Sequence, residues 1–237
     1  MSEAKSIAEL AKKGFRPKRT LVFCAWDGEE PSLLGSTEWV EDHQEELKQK
    51  AVAYINTDGN NRGFVGGEGS HTLEPFFNEI IGEVTDPETG VTVRERRYAK
   101  SLVDADKTAR TKLMGDKSIK LGALGAGSDY SPFLQHLGIA SMNIGYGGEG
   151  EGGQYHSIYD SYDYFTRFID PGFAYGVTLS KTTGRTMLRP CGADVLPIDF
   201  SSFYKTVSGY VTEVKTLLDN SRTETDQHNK LVKDKII

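Results

Sequence analysis

The chain has 237 residues and a net charge of −6, from 28 Lys plus Arg against 34 Asp plus Glu. That balance offers no basic face for a nucleic-acid partner, because phosphate binding draws on clustered Lys and Arg. With 11 Tyr and 11 Phe it is too aromatic for a disordered chain, and no stretch approaches the ~18 apolar residues of a membrane span.

The first residues carry no apolar signal region. Ile7, Leu10 and Ala11 recur at helical spacing until Gly14 and Pro17 stop the pattern. Thr20 to Trp26 is a continuous apolar run, which predicts a central strand covered on both faces and places Cys24 as a buried small hydrophobe. The two cysteines, Cys24 and Cys191, make no disulfide framework, so the compartment stays open and the chain reads simply as soluble. After the turn Asp27-Gly28-Glu29-Glu30, the apolar positions Leu33, Val40 and Leu47 predict a helix from Ser32 to Lys48.

Ala51 to Thr57 reads as a second buried strand ending at Asp58, followed by a glycine-rich loop and a helix from Thr72 to Val84. Residues 85–120 read as a solvated connector with one helix near Asp104 to Leu113; the competing reading is a lid. Gly127-Ser128-Asp129-Tyr130 opens a short helix toward Leu137, and Gly138 to Ile144 reads as a third strand. Gly145 to Gly153 holds six glycines and leads into Tyr155-His156. Asp170-Pro171 caps a helix running to Leu188. Phe203, Val207, Tyr210, Val214 and Leu217 form an apolar stripe within a helix from Asp199 to Asn220, and the last fifteen or so residues read as a frayed polar tail. The strand–helix rhythm predicts an α/β fold, a mixed and mainly parallel sheet with flanking helices.

Glu29 with Glu30, Asp58 and His156 lie just past strands or a glycine loop, where open α/β sheets bind ligands. Carboxylates and an imidazole converging there suit zinc, and adjacent glutamates on a turn can divide the roles of ligand and base. Taken singly, each position has an ordinary structural reading as well: an acidic helix start, a turn residue, a structural histidine.

The run Trp26 to Glu30, then Leu33-Leu34-Gly35-Ser36-Thr37-Glu38-Trp39, resembles glutamate carboxypeptidase II and its co-catalytic zinc aminopeptidase relatives. The likeness continues through Tyr54 to Asp58, Gly127 to Tyr130, Leu137 to Ser141 and Tyr155 to Asp160. The resemblance implies Glu29 as general base, Glu30 and His156 as ligands of one zinc, Asp58 as ligand of the other, and Tyr155 as hydrogen-bond donor to the tetrahedral intermediate. It places Ser128, Asp129 and Asn143 at the substrate, with Ser128, Asn143 and Gly145 where the glutamate-selective enzyme has an asparagine and two arginines. An acidic terminal residue is then not the expected substrate.

The family's two remaining ligands, a histidine and a bridging aspartate, lie upstream of the glutamate pair. Only 28 residues precede Glu29 here and none is histidine. The resemblance therefore implies a partial peptidase domain over 1–195 that lacks its first strands, holding one zinc or none tightly. His71 is the one spare loop histidine available as a substitute ligand. Residues 196–237 would begin a helical region whose stripe packs on the sheet domain or forms a homodimer. The alternatives are an inactive fragment, or a binding relative of the transferrin-receptor kind. Against the latter, a non-catalytic relative has no physical reason to keep a buried acidic cluster.

Overall fold

The computed structural model describes residues 2–150 and 153–235; of the glycine loop, Glu151 and Gly152 lie outside the described residues. In chain order come α1 (Ser2–Lys12), α2 (Leu34–Asp42), α3 (Gln44–Lys50), β1 (Tyr54–Asn56), β2 (Gly63–Gly69) and α4 (Glu74–Ile81). They are followed by α5 (Val93–Asp104), α6 (Lys107–Gly115), β3 (Ser141–Gly148), the short α7 (Tyr162–Tyr164), α8 (Ala174–Gly192) and α9 (Phe200–Lys233). The fold is mixed α/β, as the sequence predicts.

The sheet has the order β1-β3-β2, with β1 and β3 parallel and β2 antiparallel to β3. Its strands sort their side chains by alternation. Ile55, Met142, Ile144 and Val65 point into the larger core, which α4, α5 and α8 complete through Phe77, Ile80, Val93 and Tyr175. Tyr54 points the other way into a smaller core with Val40, Phe133 and Ile139, capped by Trp26 and Trp39. The Tyr54 and Phe133 rings stack at 3.9 Å. Asn56 and Asn143 share the Tyr54 face but lie past the smaller core, toward the site.

Several predicted elements come out differently. Among the described residues Thr20 to Trp26 pairs with no strand, and Val22 and Phe23 are exposed. β1 spends its backbone groups on the β3 side, where Tyr54 N donates to Ala140 O at 2.9 Å. Cys24 is exposed rather than buried. The single helix over 32–48 is two helices broken at His43. There the imidazole stacks on Trp39 and its Nδ1 reaches Trp39 O at 2.8 Å, competing with the backbone for that carbonyl.

The glycine-rich loop after Asp58 is largely β2. Its glycines hide the strand from composition, yet they permit the ladder. A Cβ on Gly67 would sit 2.8 Å from the Phe77 ring. Residues 85–120 are not a solvated connector, for they hold two helices, and α5 contributes to the larger core. Thr92 and Glu95 start α5 as a reciprocal capping box. Arg96 is buried against Asp86 at 2.8 Å, an ion pair that composition reads as ordinary surface charge.

At α8, the Asp170 carboxylate accepts from Tyr175 N and Gly176 N, satisfying first-turn donors as the sequence predicts. α9 continues to Lys233, so residues 221–233 of the expected polar tail are helical. Its stripe does not pack on the sheet domain as expected. Phe203, Val214 and Leu217 are exposed, and the helix touches the body near Tyr210, whose hydroxyl lies 3.1 Å from His71 Nε2. Among the described residues no helix is long and apolar enough to cross a membrane.

Candidate metal and substrate site

The turn at 27–30 is built by close backbone approach. Gly28 is left-handed at φ 66°, and Ser32 and Leu33 follow with positive φ as the chain reverses into α2. Gly35 N donates to Asp27 O at 2.9 Å, and a Cβ on Gly35 would sit 2.5 Å from that same oxygen. Only glycine fits there. Trp26, one residue upstream, fixes the turn to the sheet by donating its Nε1–H to Tyr54 OH at 2.9 Å.

That bond begins a chain of hydrogen bonds beneath the site. Tyr54 OH donates to Asn56 Oδ1 at 2.9 Å, and Asn56 Nδ2 donates to Ser128 Oγ at 3.0 Å and to Asn143 Oδ1 at 3.1 Å. Ser36 Oγ donates to Asp129 Oδ1 at 2.6 Å, joining α2 to the loop before the π-turn Pro132–His136. Ser128, Asp129 and Asn143, the residues expected at the substrate, are thus held by Asn56 and Ser36, neither of which stood out in the sequence. Asn56 could have been found from its place two residues before Asp58, on the same strand face.

The predicted zinc ligands Glu30 and His156 do come together, with Glu30 Oε2 and His156 Nε2 3.1 Å apart. Two donors on one tetrahedral zinc, at bond lengths near 2.0–2.1 Å, stand ~3.3 Å apart. The pair therefore fits two corners of such a site. His156 is left-handed at φ 56°, an uncommon state for a residue other than glycine and one often found where function fixes a side chain. Tyr155 stacks on it with ring centroids 3.7 Å apart and is 69% exposed.

Glu29 sits in the field of this group. Partial burial, then Asp58, Glu30 and Asp129, push its carboxyl above the ordinary value, and His156 opposes them. Among the described residues no group of three or more His, Cys, Asp or Glu gathers to hold a metal ion. His71 does not complete the set: it is buried beside α4 and faces Tyr210. Nor is the acidic cluster buried as the sequence reading supposed. Glu30, Asp58, Tyr155 and His156 all stand open to solvent.

Comparison with known proteins agrees with this arrangement of motifs. The profile described as "Peptidase family M28" matches residues 4–168. A probable glutamate carboxypeptidase of Arabidopsis thaliana (LAMP1) is 32% identical over 234 residues, covering 97% of this chain and 30% of the relative. A probable glutamate carboxypeptidase of Arthroderma benhamiae is 35% identical over 223 residues, covering 92% and 29%. The aminopeptidase NAALADL1 of Mus musculus is 30% identical over 224 residues, covering 90% and 29%. The chain thus spans about 30% of the length of the curated relatives it matches.

Proposed function

This chain belongs to peptidase family M28, and from that premise we propose that it works within a zinc-dependent exopeptidase of aminopeptidase or dipeptidase type. The observation that carries the reading is the Glu30–His156 pair at 3.1 Å with Glu29 beside it, its carboxyl made more basic by its neighbours.

In this reading Glu30 and His156 hold one zinc and Asp58 belongs to a second. Bound zinc would polarise the scissile carbonyl and favour loss of a proton from water. Glu29 takes that proton on its carboxylate and returns it to the leaving amine. Its place one residue before Glu30 suits both halves of the task. Tyr155, exposed over His156, donates its hydroxyl to the oxyanion that develops at the carbonyl. The hydrogen bonds from Asn56 hold Ser128 and Asn143 against the substrate side chain, so orientation is fixed before binding. The relatives bear both carboxypeptidase and aminopeptidase names. Ser128, Asn143 and Gly145, standing where the glutamate-selective enzyme has an asparagine and two arginines, favour the aminopeptidase side for this chain, because no guanidinium fork awaits a carboxylate. The same reading assigns the peptidase part to 1–195 and a helical region to 196–237.

Zinc analysis of the purified protein, together with hydrolysis of aminoacyl chromogenic substrates, tests this. Glu29→Gln is expected to lower kcat by about 10²–10⁴-fold while zinc content stays unchanged. Activity that survives the change would overturn the base assignment. Two tightly held zinc ions in the 237-residue chain alone would overturn the two-corner description of its donor set.

A further inference from the structure

One carboxylate on the site's face of the sheet is used by none of the proposed chemistry. Glu68 lies on β2 in register with Asn143 of β3, which is itself in register with Asn56 of β1. Side chains at paired positions share a sheet face, so Asn56, Asn143 and Glu68 form one row. With strands ~4.8 Å apart, the Glu68 Cα lies roughly 10 Å across the sheet from that of Asn56. Asp58 follows Asn56 by two residues, so the row runs directly beside the proposed metal ligand.

The next row toward Asp58 is bare. Gly145 pairs with Gly66, and a Cβ on Gly66 would meet nothing closer than Gly145 O at 3.9 Å. A Cβ on Gly145 would sit 2.6 Å from Gly59 O, so the backbone itself excludes a side chain there. The result is a floor of peptide backbone with Asn143 and Glu68 along one margin. On the far side, Glu68 rests against Gly122, where a Cβ would lie 3.1 Å from Glu68 Cγ.

The polarity of this margin follows from its hydrogen bonds. Asn143 Oδ1 is taken by Asn56, which leaves the Asn143 amide nitrogen without a partner among the described residues. Glu68 is exposed and, among the described residues, has neither an ion pair nor a hydrogen bond. The nearby cation Lys120 is committed to Glu74 and Asp116. Arg62, beyond the far end of β2, is committed to Glu88 and Glu149. A carboxylate on a bare floor, with no cation paired to it among the described residues, favours a cationic group brought by the ligand.

We propose that Glu68, with Asn143 and the Gly66–Gly145 floor, forms a subsite for the basic side chain, lysine or arginine, of a peptide substrate. This rests on the peptidase reading and names its substrate class. Hydrolysis of lysyl and arginyl chromogenic substrates should exceed that of the norleucyl and glutamyl ones. Glu68→Gln should lower kcat/KM for the basic substrates by about tenfold and leave the norleucyl substrate unchanged. Glu68→Lys should shift preference toward glutamyl. Calorimetric titration with lysinamide and norleucinamide gives a readout that needs no catalysis. Both carry the α-amine, so only the side-chain ammonium differs. Tighter lysinamide binding that Glu68→Gln removes supports the subsite. Equal binding of the two amides, or a Glu68→Gln change that lowers all substrates alike, overturns it. Failure to hydrolyse any substrate would count against the peptidase reading, with the titration still deciding the subsite.

Discussion

Two groups of charged side chains flank the sheet, and they differ in how their charges are met. Around Arg96 the guanidinium reaches Asp86 at 2.8 Å, Glu88 at 3.0 Å and Glu149 at 2.6 Å, and also bonds Tyr175 OH. Arg62 adds a second cation against Glu88 and Glu149. Asp86 is further held by Thr89 N and Oγ1 at 2.9 Å. Burial pushes the Tyr175 phenol up to about 12, so it stays protonated. Around Glu29, by contrast, Glu30, Asp58 and Asp129 face one imidazole. At the centre of the first group Arg96 and Asp86 are buried, and Arg62, Glu88 and Glu149 close the network around them at the surface. The second is open, with negative charge in excess. A saturated network serves architecture, because any charge it lost would strand another in low dielectric. An unsaturated one leaves room for a cation from outside.

The comparison can be broken most forcefully at Arg96. Arg96→Ala strands Asp86, which is 1% exposed, and should cost about 3–5 kcal/mol in urea or thermal unfolding. A cost under about 1 kcal/mol would show that the network is not structural.

A smaller and graded effect is expected with pH. Burial alone would raise the Asp86 carboxyl, but the bonds from Arg96 and Thr89 outweigh it and hold the group below 3.8. Its stabilising contribution is therefore fully present above the unfolded value and is lost as pH falls through the lower folded one. Unfolding midpoints of the protein and of Asp86→Asn should converge as pH drops from 5 toward 2 on the order-of-magnitude scale of such titrations. A gap that stays constant over that range would contradict the linkage.

The smallest expected effect lies at the other group. Glu29→Gln should change stability by no more than about 0.5 kcal/mol, since the residue is partly exposed and surrounded by like charge. Thermal melts beside the activity assay would read both. A large destabilisation would place Glu29 in the architecture instead.

The sequence made the site legible in pieces. Glu29, Glu30, Asp58 and His156 stood out because they end apolar runs or a glycine loop, and the resemblance supplied their roles. Asn56 and Glu68 did not stand out. Their importance lies in cross-strand register, and the glycines of 63–69 concealed the strand that sets it. The run at 20–26 misled in the opposite sense. Apolar composition predicts burial only where a second layer is present to cover it, and here Val22 is 65% exposed. Residues 85–120 misled because the Asp86–Arg96 ion pair buries two charged residues that composition reads as surface.

Local sequence alone determined the turn at 27–30, the Thr92–Glu95 and Asp170 caps and the amphipathic helices, because backbone sterics, hydrogen bonds within a few residues and side-chain periodicity set them. Tertiary structure decided what those signals cannot carry: that Glu30 meets His156, that Asn56 holds Ser128 and Asn143, and that Glu68 shares a sheet face with Asn56 and Asn143. Each joins residues far apart in the chain. Such contacts follow from strand register and layer packing, where a shift of one residue would turn every side chain to the other face.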